Sequence, residues 1–309
     1  MRANEWVLPR GAASGQGFDV VIDDQVEGWT HTGLRVATLA ADESCHVPAG
    51  EWEYIVVPLA GSVRVAARLH DGSTRTADLS GRPSVFAGPT DVAYAPAGSE
   101  LEVTATAELS RVAVCAARVV DGGSREFRHI LSADVPVELR GAGIASREVR
   151  NFGIPGVLDA DALIACEVIT PAGNWSSYPP HKHDEEREGE ETELEEIYYF
   201  ETQVEGAASG SSVPEGADPV GYQRVYGTTE RPIDVFAEVR TGDVVLVPHG
   251  WHGPAMAAPG YDLYYLNVMA GPGPTRAWLI CDDPRHTWVR DTWGTQEIDP
   301  RLRAREEVR

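Results

Sequence analysis

Gly173-Asn174-Trp175-Ser176-Ser177-Tyr178-Pro179-Pro180-His181-Lys182-His183 is the stretch on which the reading of this chain turns. Two histidines at i and i+2 on extended backbone point to one face, because side chains alternate with period two. Glu196-Ile197-Tyr198-Tyr199 then opens a strand with a carboxylate. Gly242-Asp243-Val244-Val245-Leu246-Val247-Pro248-His249-Gly250-Trp251-His252 later ends on a histidine. Three imidazoles and one carboxylate closing on one point suit a borderline divalent ion and leave positions open for substrate. The expected ligands are His181, His183, Glu196 and His252. Glu193 and Glu195 compete for the carboxylate role, and Glu196 is preferred because it directly precedes the aromatic run. His249 competes with His252 and is expected nearer the rim.

Outward from this stretch the chain reads as short alternating runs broken by Gly, Pro, Asp and Asn. Glu53-Tyr54-Ile55-Val56-Val57, Ser62-Val63-Arg64-Val65-Ala66 and Leu109-Ser110-Arg111-Val112-Ala113-Val114 are examples. Many short strands at such spacing predict an all-β sandwich or barrel. Helix is expected only over 132–139 and in the charged tail 301–309. The chain also looks duplicated. Glu53-Tyr54-Ile55-Val56-Val57 in the first half and Glu196-Ile197-Tyr198-Tyr199-Phe200 in the second occupy corresponding positions, each followed by Gly- and Pro-containing turns. Glycine-rich interruptions between 120 and 151 place the boundary there, giving units 1–135 and 136–309. The first unit keeps the turns and lacks the ligands. His31, His46, His70 and His129 have no metal spacing. In residues 184–195, eight of twelve are acidic. That segment reads as solvated surface, or as a movable rim between two ligands.

The chain has 309 residues, with 48 acidic against 26 basic ones and a formal charge of −22. This balance argues against nucleic acid and anionic membranes as partners. It also requires any anion site to be locally basic. No apolar run is long enough to span a bilayer, and the opening residues lead into no apolar leader segment. Cys45, Cys115, Cys166 and Cys281 are scattered, as expected of reduced residues in a cytoplasmic protein.

The second-half motifs match the cupin pattern, in which Gly, His-x-His and Glu are followed by Gly-Asp, Pro, Gly and His. The interval from His183 to Glu196 is longer than in most cupins, and one residue fewer separates Gly250 from His252. More specifically, Thr170-Pro171-Ala172-Gly173 running into the His motif resembles the 5-deoxy-glucuronate isomerase family of myo-inositol catabolism. So do Tyr222-Gln223-Arg224-Val225-Tyr226, the run from Val247 to Pro254, and the run from Gly260 to Gly271. The 4-deoxy-5-keto-uronate isomerases share the plan. The resemblance implies a bicupin of two tandem barrels or sandwiches. It also implies an aldose–ketose isomerase, an intramolecular oxidoreductase converting 5-deoxy-glucuronate to 5-dehydro-2-deoxy-gluconate.

Such a reaction moves hydrogen between adjacent carbons, by proton transfer through an enediolate or by hydride shift. A Lewis-acidic ion suits the first route. Zinc suffices, with His–metal bonds of about 2.0–2.1 Å, and Mn2+, Fe2+, Co2+ or Ni2+ fit the same donors. Period two places Tyr198 on the ligand face. It puts Tyr222, Arg224 and Tyr226 on one face, with Arg224 either a clamp for the sugar carboxylate or part of an internal ion pair. Tyr265 and Asn267 share another face and either line the site or pack the core. Lys182 alternates away. Trp175 is either an aromatic wall or core. The competing functions are an Fe(II) dioxygenase and a sugar-binding cupin without turnover. Pairing of sheet edges makes a homo-oligomer the expected assembly.

Overall fold

A computed structural model describes residues 5–120 and 125–302. Its runs of β-branched and aromatic residues form strands, as their fit to a pleated, half-buried surface favours. Helical structure among the described residues is confined to 3-10 segments and a turn at 300–302. The helix expected over 132–139 does not form. Ser132–Asp134 makes one 3-10 turn, Pro136 has no N–H to give a helix, and Val137–Arg140 pairs antiparallel with Arg147–Gly153. The tail beyond 302 and the 121–124 interruption lie outside the described residues. The longest helical segment, the 3-10 run Thr287–Thr295, was not anticipated; it has no periodic apolar face. Among the described residues, no helix is long and apolar enough to cross a membrane.

Strands between Val20 and Ile130 form one nine-stranded sheet. The 17-residue strand Trp52–Arg68 runs through it. Its first part pairs with Val92–Ala95 and Leu109–Arg118, and its second with Thr74–Arg82 and Glu100–Ala105. The register slips around Gly61, which has φ 77°; a Cβ there would lie 2.5 Å from the Leu109 carbonyl oxygen. That bend lets one strand serve two walls. Residues from Val137 to Asp282 form a six-stranded sheet and six strands of a facing seven-stranded one. Val7–Leu8 joins the seven-stranded sheet, with Val7 opposite Val245.

Three apolar cores result. One lies inside the first half, around Tyr54, Val56, Val63, Val103 and Val114. One lies inside the second half, around Val149, Cys166, Tyr198, Phe200 and Tyr265. The third joins the two halves back to back and includes Ile55, Val57, Cys115, Phe152, Ile197 and Leu266. Arg147–Gly153 and Ile164–Thr170 are therefore buried on both faces.

Buried carboxylates of this seam are matched across it by backbone N–H groups. Glu53 accepts from the backbone N–H groups of Asp161, Ala162 and Leu163 at 2.9, 2.6 and 2.6 Å, and from the Tyr94 hydroxyl. Glu195 does the same in the opposite direction, accepting from Thr30, His31 and Thr32 at 3.2, 2.6 and 2.6 Å. The repeat is thus aligned one residue away from the sequence expectation. Glu53 matches Glu195, Ile55 and Ile197 share the seam, and Tyr54 stands where Glu196 stands. The first copy has an apolar-core tyrosine in place of the proposed metal carboxylate.

A second seam element is ionic. Arg82 grips Glu167 through two hydrogen bonds at 2.6 and 2.7 Å, and Arg150 reaches the same carboxylate at 2.9 Å. Burial pushes the Glu167 carboxyl up, but the two guanidiniums overcome it and hold it at about 2, against an ordinary 4.5. Because the folded value is depressed, the stabilisation is complete above about pH 4.5 and is lost as pH falls toward 2. Glu167→Gln should therefore lower stability at neutral pH by about 3–5 kcal/mol, since two buried arginines lose a partner. It should also flatten the pH dependence between 4.5 and 2. Denaturant unfolding at a series of pH values measures both.

Candidate functional site

The two-residue strand His181–Lys182 lies between Trp251–Ala257 and Cys281–Asp282. Its register puts His181 directly opposite His252. Their ring centroids are 4.5 Å apart, and the His183 ring lies 4.6 Å from that of His252. One ring nitrogen from each of the three histidines falls within 4.8 Å of the others. Glu196 enters from the opposing sheet on the strand Glu195–Val204. Its Oε2 lies 3.2 Å from His183 Nε2 and 3.1 Å from His252 Nε2.

The donors suit a cation. His183 Nδ1–H donates to the Leu194 carbonyl and His252 Nδ1–H to that of Gly250, each at 3.1 Å. His181 is held by the Pro179 backbone. These bonds fix the tautomer, so each Nε2 turns inward as a lone-pair donor. Burial first, then the charges of His252 and His183, hold His181 well below the usual imidazole range. Burial pushes Glu196 up, but the facing His183 and His252 imidazoles pull it down to about 2. A neutral imidazole and an ionised carboxylate are the metal-binding forms. Glu195 points into the seam and Glu193 lies outside the cluster, its N–H on Glu186. The residues present fit a divalent ion.

A row of hydroxyls lies beside the cluster. The Tyr198 ring is 6.3 Å from that of His252 and 5.1 Å from that of Tyr265. Ser177 Oγ sits 3.4 Å from Tyr198 Oη and 3.1 Å from Tyr265 Oη, and Tyr265 continues to Ser176 at 3.0 Å. Burial pushes the Tyr198 phenol well up and that of Tyr265 to about 12, so both are proton donors at neutral pH. Asn267 stands opposite Tyr198 in register with its Nδ2 unpartnered among the described residues.

Arg224 is not brought to the cluster. In Gly221–Tyr226 it is Gly221, Gln223 and Val225 that are buried, while Tyr222, Arg224 and Tyr226 face outward. Arg224 bonds Asp234 at 2.5 Å and the Val225 and Val235 carbonyls. The period was read correctly and the face was reversed. Gln223 takes the inward place, fully buried with both side-chain polar atoms unpartnered among the described residues. Sequence reasoning missed it, although it sits between the two flagged positions.

The acidic segment after His183 is pinned rather than free. Lys182 Nζ bonds Asp184 at 2.6 Å and Glu191 at 2.8 Å, Arg187 grips Glu191, and Asp184 accepts from the Gly250 N–H. Lys182 does turn away from the cluster. Trp175 is exposed and packs edge-on against Tyr178 at 5.7 Å, so it is not core. Cys45, Cys115, Cys166 and Cys281 are free thiols.

Ser177 owes its position to Gly253, which has φ 100° and whose Cβ would fall 1.8 Å from the Ser177 carbonyl oxygen. Gly260 has φ 85° and open space around it. Gly260→Ala should cost about 1 kcal/mol from backbone conformation alone. Gly253→Ala should cost at least about 2 kcal/mol more, because backbone must move. Thermal unfolding of the two variants checks the difference.

Comparison with known proteins adds three findings. The family model described as KduI/IolB matches residues 6–289. A 5-deoxy-glucuronate isomerase of Geobacillus kaustophilus is 38% identical over 93% of this chain and 95% of its own length. The protein of that name in Bacillus subtilis strain 168 is 35% identical over 84% and 88%. Among solved structures, an IolB-like protein of Salmonella typhimurium is similar at a TM-score of 0.79 and 36% identity, covering 93% of this chain and 99% of that one. The oxalate decarboxylase of Lactobacillus farciminis, at 11% identity and a TM-score of 0.58 over 85% and 82%, carries the fold alone. That fold is the all-β bicupin expected from the sequence.

Proposed function

The chain belongs to the KduI/IolB family, and from that premise we propose that it is a metal-dependent 5-deoxy-glucuronate isomerase of myo-inositol catabolism. The product is 5-dehydro-2-deoxy-gluconate. The observation that carries this reading is the convergence of His181, His183 and His252 with Glu196, beside a wall of buried hydroxyl and amide groups. An isomerisation between adjacent carbons has no net redox change and needs groups that hold and return protons.

His181, His183, Glu196 and His252 would hold the ion, with zinc our first choice and Mn2+, Fe2+, Co2+ or Ni2+ as substitutes. When bound, it supplies positive charge where an oxyanion develops on the sugar. The chain's own residues do the rest. Of Tyr198 and Tyr265, both protonated at neutral pH, one gives its proton to the oxygen that becomes a hydroxyl while the other takes up the proton of the oxygen that becomes a carbonyl. Ser177 lies between their hydroxyls and passes a proton from one to the other. Gln223 and Asn267 present unpartnered amides that orient the sugar hydroxyls. Closely packed walls of Phe200, Cys166 and Val168 keep bulk water from the reacting carbons.

We further propose the division into units 1–135 and 136–309, with the metal in the second. A cytoplasmic location, a homo-oligomeric state and no nucleic-acid or membrane partner complete the proposal. The excess of acidic over basic residues supports the last two exclusions.

The decisive test is turnover of 5-deoxy-glucuronate, followed by NMR in D2O before and after chelation. Chelator-sensitive ketose formation is expected, with deuterium entering the product if the proton route operates. No product from metal-replete protein would refute the isomerase reading. His183→Ala should lose stoichiometric metal and at least about a thousandfold in kcat, with the far-ultraviolet spectrum unchanged. Metal analysis and turnover of the same sample check it.

A further inference from the structure

Arg147 is buried, with 9% of its surface exposed, and makes no ion pair among the described residues. Its one hydrogen bond goes to the Ala145 carbonyl at 3.2 Å. The other buried arginines, Arg82 and Arg150, share Glu167, and half-buried Arg276 donates to three carbonyls. A buried guanidinium without a carboxylate is costly, and such groups persist where an anion is to arrive.

Its position fits that role. Arg147, Val149 and Asn151 alternate onto one face of Arg147–Gly153, and Val149 packs in the core that holds Tyr198 and Tyr265. A chain of contacts joins Arg147 to the histidine cluster. His181 pairs with Asp282, Asp282 bonds Arg290 at 2.7 Å, and the Arg290 guanidinium lies 5.1 Å from the Trp293 ring. The Arg147 guanidinium lies 5.8 Å from the same ring. Across the strand pair, Arg140 faces Arg147 in register and is neutralised by Glu138 at 2.8 Å. Burial brings the Arg147 charge down to about 10, with Tyr265 and, more weakly, Glu138 pulling it up against repulsion from Arg140 and Arg290. It stays cationic at neutral pH and short of negative charge.

We propose that Arg147, flanked by Arg290 across Trp293, binds the carboxylate of the sugar acid at the His181 side of the site. The proposal rests on the isomerase reading for the identity of the substrate and for nothing else. It makes the 3-10 segment Thr287–Thr295 part of the binding site. It also moves the carboxylate clamp from Arg224 to a different strand and a different sheet.

Calorimetric titration of the metal-loaded protein with D-glucuronate and with uncharged D-glucose tests this, beside the KM and kcat for 5-deoxy-glucuronate. Arg147→Met should weaken D-glucuronate about a hundredfold and raise KM similarly, with kcat within about tenfold and D-glucose unaffected. Arg147→Lys should restore most of the affinity. The Met variant should unfold at a higher temperature than wild type, because an unpaired buried charge has been removed; a purely structural arginine would give the reverse. Wild-type affinity for D-glucuronate in Arg147→Met would overturn the proposal, as would its loss in Arg224→Met instead. Protein that binds D-glucuronate through Arg147 yet makes no product would leave the clamp standing and sink the isomerase reading.

Discussion

The alternation of side chains along one strand, Glu195–Val204, couples the architecture of this protein to its chemistry. Glu195 and Glu196 are neighbours and must point to opposite faces. One face looks back to the first half, where Glu195 satisfies three backbone N–H groups of the 30–32 turn. The other looks into the second core, where Glu196 meets His183 and His252. A slip of one residue would send each carboxylate to the wrong side and leave both environments with unpaired polar groups. The seam therefore sets the register of the site. The reciprocal contact made by Glu53 with residues 161–163 locks the same seam from the other half.

Much of this was legible in the sequence because period two is a strong local signal. The strand content and the His181–His183 pair follow from spacing, while Glu196 is preferred over Glu193 and Glu195 because it directly precedes the aromatic run, and His252 over His249 because it ends its motif. What was not legible depends on which face of a strand looks inward, and that is decided by partners far away in the chain. Gly221–Tyr226 offers two faces of similar polarity, so Arg224 and Gln223 exchanged places. The repeat was misaligned by one residue for a related reason. Glu53 and Glu196 are each followed by apolar residues, and only the cross-seam hydrogen bonds show that Glu195 is the equivalent. The Thr287–Thr295 segment has no periodicity to read and is held by side-chain contacts such as Trp293 against two arginines.

Charge is distributed against the average. The chain carries a formal −22, yet its interior collects arginines. Arg82, Arg150 and Arg111 neutralise Glu167 and Glu201 within the seam. Near the histidines, Arg140 and Arg290 are paired while Arg147 is not. In the acidic 184–194 region, Lys182, Arg187 and Arg231 offset the buried carboxylates Asp184 and Glu191. Surface negativity and a locally positive interior coexist because charges in the low-dielectric interior are screened far less than those in water. An anionic sugar would thus meet an unfavourable long-range field and a favourable short-range one, which rewards the correctly seated molecule over a loosely associated one.

The pairing of Val7–Leu8 with Val244 and Val245 has a consequence for biosynthesis. Among the described residues, Val7–Leu8 has its one sheet partner in Val244–Val247, far later in the chain. Closing so large a loop is slow, and non-local pairings of this kind lengthen folding times. The first half can assemble its own nine-stranded sheet during translation, but the seven-stranded sheet can be completed only after synthesis has passed Val247. Until then Val7–Leu8 carries an unsatisfied edge, and a nascent chain stalled before that point would expose it to neighbouring chains on the same message.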